Sequence, residues 1–169
     1  MEPKVIFRVE SRLNGLGPYQ HQKVKVIGRD ANNNPKEIVS SSTLATYLWG
    51  DMRYNERHPN PDEENFKNCD YDIMYFGFNS LDQIYAWFSH EDLKRVDDFQ
   101  CGIQDYAIAV YVSEYYDIGE KQCIFDKEEA VLVTWLECDV LAQESLVRNV
   151  LNEDWIERQI SNYKEKYHE

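Results

Sequence analysis

Apolar and polar residues alternate from residue 4 to residue 10 (KVIFRVE), with Val5, Phe7 and Val9 on one side and Ile6, Arg8 and Glu10 on the other. A period of two predicts a strand. Residues 23–27 (KVKVI) predict a second strand. Between them Asn14-Gly15-Leu16-Gly17-Pro18 predicts a turn, because two glycines free the backbone and Pro18 bars a helix. Residues 30–35 (DANNNP) have the composition of a surface loop. Residues 40–49 predict a short helix opened by capping serines. Residues 53–64 contain His58-Pro59-Asn60-Pro61-Asp62 and predict a long irregular connection, a kind of segment that often carries function.

The rhythm changes further along. Residues 71–78 (YDIMYFGF) predict a strand running into a turn at Gly77. Ser80 and Gln83 have the spacing of a capping box, and Leu81, Ile84, Tyr85 and Phe88 then share a helical face. Ser89 with Asp92 repeats the capping pattern and predicts a helix over 91–97. Residues 106–115 (YAIAVYVSEY) are β-branched and aromatic without a breaker and predict the strongest strand. Residues 122–125 predict a short strand, and the unbroken apolar run 130–136 (AVLVTWL) a central strand buried on both faces. In the C-terminal part Leu146, Val150 and Leu151 form one stripe. Asn152 caps a last helix with Glu153 and Asp154 in its first turn and Ile156, Ile160, Tyr163 and Tyr167 along one side.

Strands and helices interleave without a βαβ rhythm. The expected class is α+β, a single mixed or antiparallel sheet with flanking helices and a helical C-terminus. A chain of 169 residues fits one domain, with the α+β core over about 1–136 and the C-terminal helices over about 139–169.

Twelve Tyr, seven Phe and four Trp provide enough apolar surface for a packed core despite the charge. No apolar run approaches the roughly 20 residues that span a bilayer, and the first residues lack the pattern of a secretory signal. The cysteines, Cys69, Cys101, Cys123 and Cys138, are too far apart for a CxxC motif and read as reduced, partly buried thiols.

Charge divides the chain. Residues 1–60 carry a net +3 and residues 61–169 a net −16. An acidic bulk of this size repels nucleic acid and phosphate-rich membranes and steers basic partners inward. Asp97, Asp98, Asp105, Glu114, Asp117, Asp126, Glu128 and Glu129 are the carboxylates expected to form an electronegative face.

Candidate chemistry is sparse. His21, His58, His90 and His168 are scattered and form no metal motif, so no metal is expected. The GxG at residues 15–17 lacks a P-loop lysine and a following helix start, so it reads as a turn. Arg8 is the most suggestive residue: on a strand face that lines a cleft it would offer a bidentate clamp for phosphate or carboxylate, and otherwise it faces solvent.

The segments VIFRVES, GLGPY, RHPNPD, FGFNSLDQIYAWF, VYVSEY and KQCIFD, spread over residues 4–126, resemble a widespread family of small uncharacterised bacteriophage proteins. FGFxSLxQxxxWF is the most specific of these motifs. The resemblance implies a phage-encoded accessory protein acting in the bacterial host cytoplasm. The order of parts is also similar to the ADP-ribosyltransferase fold of the arginine–serine–glutamate type, in which a first-strand arginine clamps NAD and a Q/E-x-E turn supplies the catalytic glutamate. In that likeness Arg8 matches the arginine, Ser80 the serine and Glu120-Lys121-Gln122 the turn. The last position is Gln122, which cannot stabilise oxocarbenium charge as a carboxylate does.

Two functions follow as expectations. The first is a non-catalytic, acidic counter-defence or host-takeover protein without a cofactor. It would inhibit a host protein by covering a basic, nucleic-acid-binding surface, with no direct nucleic-acid or membrane contact. The alternative is an NAD-dependent ADP-ribosyltransferase-like enzyme using Arg8, Ser80, Glu120 and Gln122.

Overall fold

The computed structural model describes residues 2–20, 22–49, 58, 61–67, 73–98 and 105–167. In chain order they form β1 (Lys4–Ser11), β2 (Gln22–Arg29), β3 (Pro35–Ser42), α1 (Leu44–Trp49), a 3-10 turn (Pro61–Glu64), β4 (Met74–Gly77), α2 (Leu81–Trp87), α3 (His90–Asp98) and β5 (Tyr106–Ser113). There follow β6 (Tyr116–Ile118), β7 (Cys123–Asp126), β8 (Val131–Leu136), α4 (Cys138–Leu141), α5 (Glu144–Val150) and α6 (Glu153–Tyr167).

The class is α+β and every strand pairing is antiparallel. The strands divide among a β1-β5-β8 sheet, a β4-β7-β6 sheet and a β2-β3 hairpin. Among the described residues, one main-chain bridge, Phe7 with Phe78, links the two larger sheets. Phe7 N–H donates to the Phe78 carbonyl at 2.8 Å, and Phe78 N–H donates to the Phe7 carbonyl at 2.7 Å. Gly77 permits this approach, because a Cβ there would stand 2.8 Å from Ile6 Cγ2 and 2.9 Å from the Phe7 oxygen.

The alternation of β1 serves two buried layers. Val5, Phe7 and Val9 enter the main core with Leu44, Ile84, Phe88, Leu93, Val110 and Leu141. Ile6, on the other face, packs with Ala109, Tyr111, Cys123 and Phe125 between the two larger sheets. The polar face of the strand is therefore enclosed, and Arg8 does not face solvent.

Several sequence expectations change in the structure. β5, not the 130–136 run, is the central strand, buried along its whole length between β1 and β8. β8 pairs with β5 alone in its sheet, and Leu132 is exposed. Residues 40–42 belong to β3, and Thr43 caps α1, its Oγ1 accepting the Thr46 N–H at 2.9 Å. β5 ends at Ser113, and Tyr116 already belongs to the returning β6. In α5 the buried residue is Val147, followed by Leu151 one turn on, while Leu146 and Val150 are exposed. The 71–78 strand is described only over Met74–Gly77, because residues 71 and 72 lie outside the described residues, as do Cys69 and Cys101.

The remaining helical signals hold. Ser80 Oγ accepts the Gln83 N–H at 3.2 Å. Ser89 and Asp92 cap α3 reciprocally, and Asn152 Oδ1 accepts the Trp155 N–H at 3.0 Å. Ile156, Ile160 and Tyr163 of α6 pack on the main core.

Candidate functional site

Arg8 is 5% exposed and sits in a buried polar cluster. Its Nε donates to Glu10 Oε2 at 2.8 Å and its Nη1 to the Phe76 carbonyl at 2.5 Å. The guanidinium carbon stands 5.1 Å from the centre of the Tyr75 ring. Glu10, 1% exposed, also accepts from Lys127 Nζ at 2.6 Å and from Tyr111 Oη at 2.5 Å. Burial and the neighbouring Glu10 push the Tyr111 hydroxyl well above its ordinary value, so it stays a donor. Arg8 is thus committed inside the protein and is no open clamp. Burial likewise pushes the Cys123 thiol up, which removes it as a thiolate nucleophile.

Beside this cluster lies a cavity of about 310 Å³. It lies between β1 and β4 beyond the Phe7–Phe78 bridge, where the Arg8 side chain, not a main-chain bond, reaches the Phe76 carbonyl. Its walls include Arg8, Tyr19, Tyr75, Phe78, Trp87 and Gln122. The C-terminal end of α2 brings Trp87 to 5.7 Å from Phe78, ring centre to ring centre. Trp87 is held in turn by buried His58, whose Nε2 lies 2.8 Å from the Trp87 carbonyl oxygen. Gly17 closes the loop side: a Cβ there would stand 2.6 Å from Arg8 Nη2. Gln122 is 4% exposed, and its Nε2 has no hydrogen-bond partner among the described residues.

Of the four residues matched to a transferase, the structure brings Arg8 and Gln122 together at this cavity. Ser80 lies elsewhere, in a groove with Arg148 and Leu151, and its hydroxyl caps α2. Glu120 is exposed in the β6–β7 turn, where its carbonyl accepts from Gln83 Nε2 at 3.2 Å. Only the Ser80 half of the expected capping box forms, and the Gln83 side chain is used elsewhere. Gln83 Oε1 takes the Asn79 N–H at 2.9 Å, and its amide nitrogen ties α2 to that turn.

The eight carboxylates expected to form one face are divided. Asp105 precedes β5 and pairs with Arg12 at 2.9 Å, and Arg12 also pairs with Glu137. Glu114 follows β5, about 26 Å of strand away. At that second end Asp126 N–H donates to the Tyr115 carbonyl at 2.9 Å, and Asp126 Oδ1 accepts the N–H groups of Glu128 and Glu129. Tyr163 of α6 reaches the same end: its hydroxyl is pushed up by burial and then by Glu114, Tyr115, Tyr167 and Glu129. Glu114, Asp126, Glu128 and Glu129 therefore gather with three tyrosines. Asp117 lies further along β6, where it accepts the Lys67 N–H at 2.5 Å. Asp97 and Asp98 end α3, and their side chains lie outside the described residues.

Sequence reasoning missed Lys127 and Tyr111 as partners of Glu10 and missed the aromatic cavity. The one available signal was that Glu10 shares a strand face with Arg8. Among the described residues, no three His, Cys, Asp or Glu side chains come together as metal ligands. No helix there is long and apolar enough to cross a membrane.

A family model described as Bacteriophage T4 Y00F protein matches residues 1–139. No curated protein and no solved structure matches the chain.

Proposed function

Since the chain belongs to the bacteriophage T4 Y00F protein family, we propose that it is a phage accessory protein that captures a basic host protein through the acid–tyrosine end and inhibits it. The gathering of Glu114, Asp126, Glu128 and Glu129 around Tyr115, Tyr163 and Tyr167 carries this reading. Tyr115 is 55% and Tyr167 49% exposed. Rigid amphipathic rings are favoured at interfaces, and a carboxylate rim selects a basic partner and speeds its encounter. A nucleic-acid-binding host protein presents that complementary charge.

The test is capture from bacterial lysate at low and high salt, with free DNA as competitor. A partner is expected to bind at low salt, to be released by DNA, and to be lost with a Glu114→Lys, Glu128→Lys, Glu129→Lys triple variant. A partner that survives both the triple variant and the competitor would remove this reading.

A second reading, NAD-dependent transfer, rests on Arg8 and Gln122 sharing one cavity, and it requires Arg8 to exchange its bonds to Glu10 and the Phe76 carbonyl for the ligand. It requires NAD at millimolar concentration to raise Tm by binding the native state, with the shift lost in Gln122→Leu. An unchanged Tm would dismiss it.

A further inference from the structure

The walls of the 310 Å³ cavity combine aromatic rings with an unused hydrogen-bonding edge. Along β1, Phe7 bonds through both main-chain groups to Phe78, and Ser11 N–H donates to the Leu16 carbonyl. These bonds show that the odd-numbered residues turn their main chain away from β5. Val9 lies between them on the same edge, is buried and lines the cavity. Neither its N–H nor its C=O bonds to a described residue. Gln122 adds a third orphaned group, its Nε2. Buried main-chain and amide groups are almost always paired, so three on one cavity mark a place where something else supplies the partners.

From this geometry we infer that the cavity binds a free nucleoside whose base carries a lactam or imide edge. Such an edge sets a ring carbonyl beside a ring N–H, the complement of the N–H and C=O of Val9. A further carbonyl or ring nitrogen of the base takes the Gln122 amide. Tyr19, Tyr75, Phe78 and Trp87 supply aromatic surface for the base. Arg8 is already paired with Glu10, so the site does not call for a phosphate. The formal charge of −13 further disfavours polyanions. A volume near 310 Å³ is at the small end of ligand sites and suits one base with its sugar. The inference is independent of the acid–tyrosine end, which lies on other elements.

Calorimetric titration of the full chain with uridine and guanosine tests it. At least one is expected to bind, and its analogue methylated at N3 of uridine or N1 of guanosine is expected not to, because the methyl group removes the donor that faces the Val9 carbonyl. Gln122→Leu is expected to weaken binding about tenfold or more while Tm stays the same or rises, since the orphaned amide is gone. Tyr19→Ala, at the partly exposed rim, provides a second variant with the same expected loss of affinity. Failure of both nucleosides to bind, equal binding of the methylated analogues, or unchanged affinity in Gln122→Leu would overturn the inference. Tighter binding of an octauridylate would transfer the cavity to a nucleic-acid strand, and tighter binding of NAD would transfer it to the transferase reading. Either outcome would overturn it too.

Discussion

At the scale of single residues, the Arg8–Glu10–Lys127–Tyr111 cluster dominates. Removing one member of a buried ion pair strands the other charge, so Glu10→Ala is expected to cost about 3–5 kcal/mol in denaturant unfolding. Arg8→Met combined with Glu10→Leu is expected to cost clearly less, because no charge is left stranded between the sheets and Lys127 can reach water. Tyr85 and Tyr111 make a second, pH-dependent contribution. Burial raises the Tyr85 hydroxyl from 10.0 to about 12, and Tyr111 is raised as well. Each folded value exceeds the unfolded one. The associated stability is therefore complete below pH 10 and is lost as pH rises through 10 toward about 12 for Tyr85. Unfolding curves collected across that window are expected to show a shallower decline for Tyr85→Phe than for the unmodified chain.

At the scale of elements, the joint between the two larger sheets depends on Gly77. Gly77→Ala would press a methyl group on Ile6 and on the Phe7 carbonyl, and is expected to destabilise the fold by about 1–3 kcal/mol, measured as a lowered unfolding midpoint. Ser80→Ala removes a helix cap and is expected to cost about 1 kcal/mol. Local signals of this kind were legible in the sequence. The caps at Ser80, Ser89 and Asn152, the alternation in β1 and the strength of β5 all depend on residues close in the chain. What depends on distant neighbours was not legible. The 130–136 run is apolar enough for a sheet centre, yet strand order puts β8 at the edge. The burial of Arg8 required Glu10 on its own strand together with Lys127 and Tyr111 from elsewhere. Asp105 and Glu114 are near in sequence, but an extended strand carries them to opposite ends. Half of the site was visible for the same reason. Arg8 stood out by residue type on an alternating strand and Gln122 only through the transferase resemblance, while the edge of Val9 emerges only from knowing which neighbour it lacks.

At the scale of the whole molecule, charge and the C-terminal helix act together. Salt should weaken capture of a basic partner steeply if the acid–tyrosine end is the contact, and little if tyrosine packing alone suffices; association rates measured across ionic strength separate the two. The family match stops at residue 139, so α5 and α6 fall outside it. Nevertheless Leu151, Trp155, Ile156 and Ile160 pack on the core that Phe7 and Val110 share, and Lys164 lies 3.9 Å from Glu2. A chain shortened to the matched part would bare a continuous greasy strip over β1 and β5. Strips of that sort drive molecules to clump, so the shortened protein should elute as oligomers or precipitate. The final helix is thus a shield against self-association as well as the bearer of Tyr163 and Tyr167.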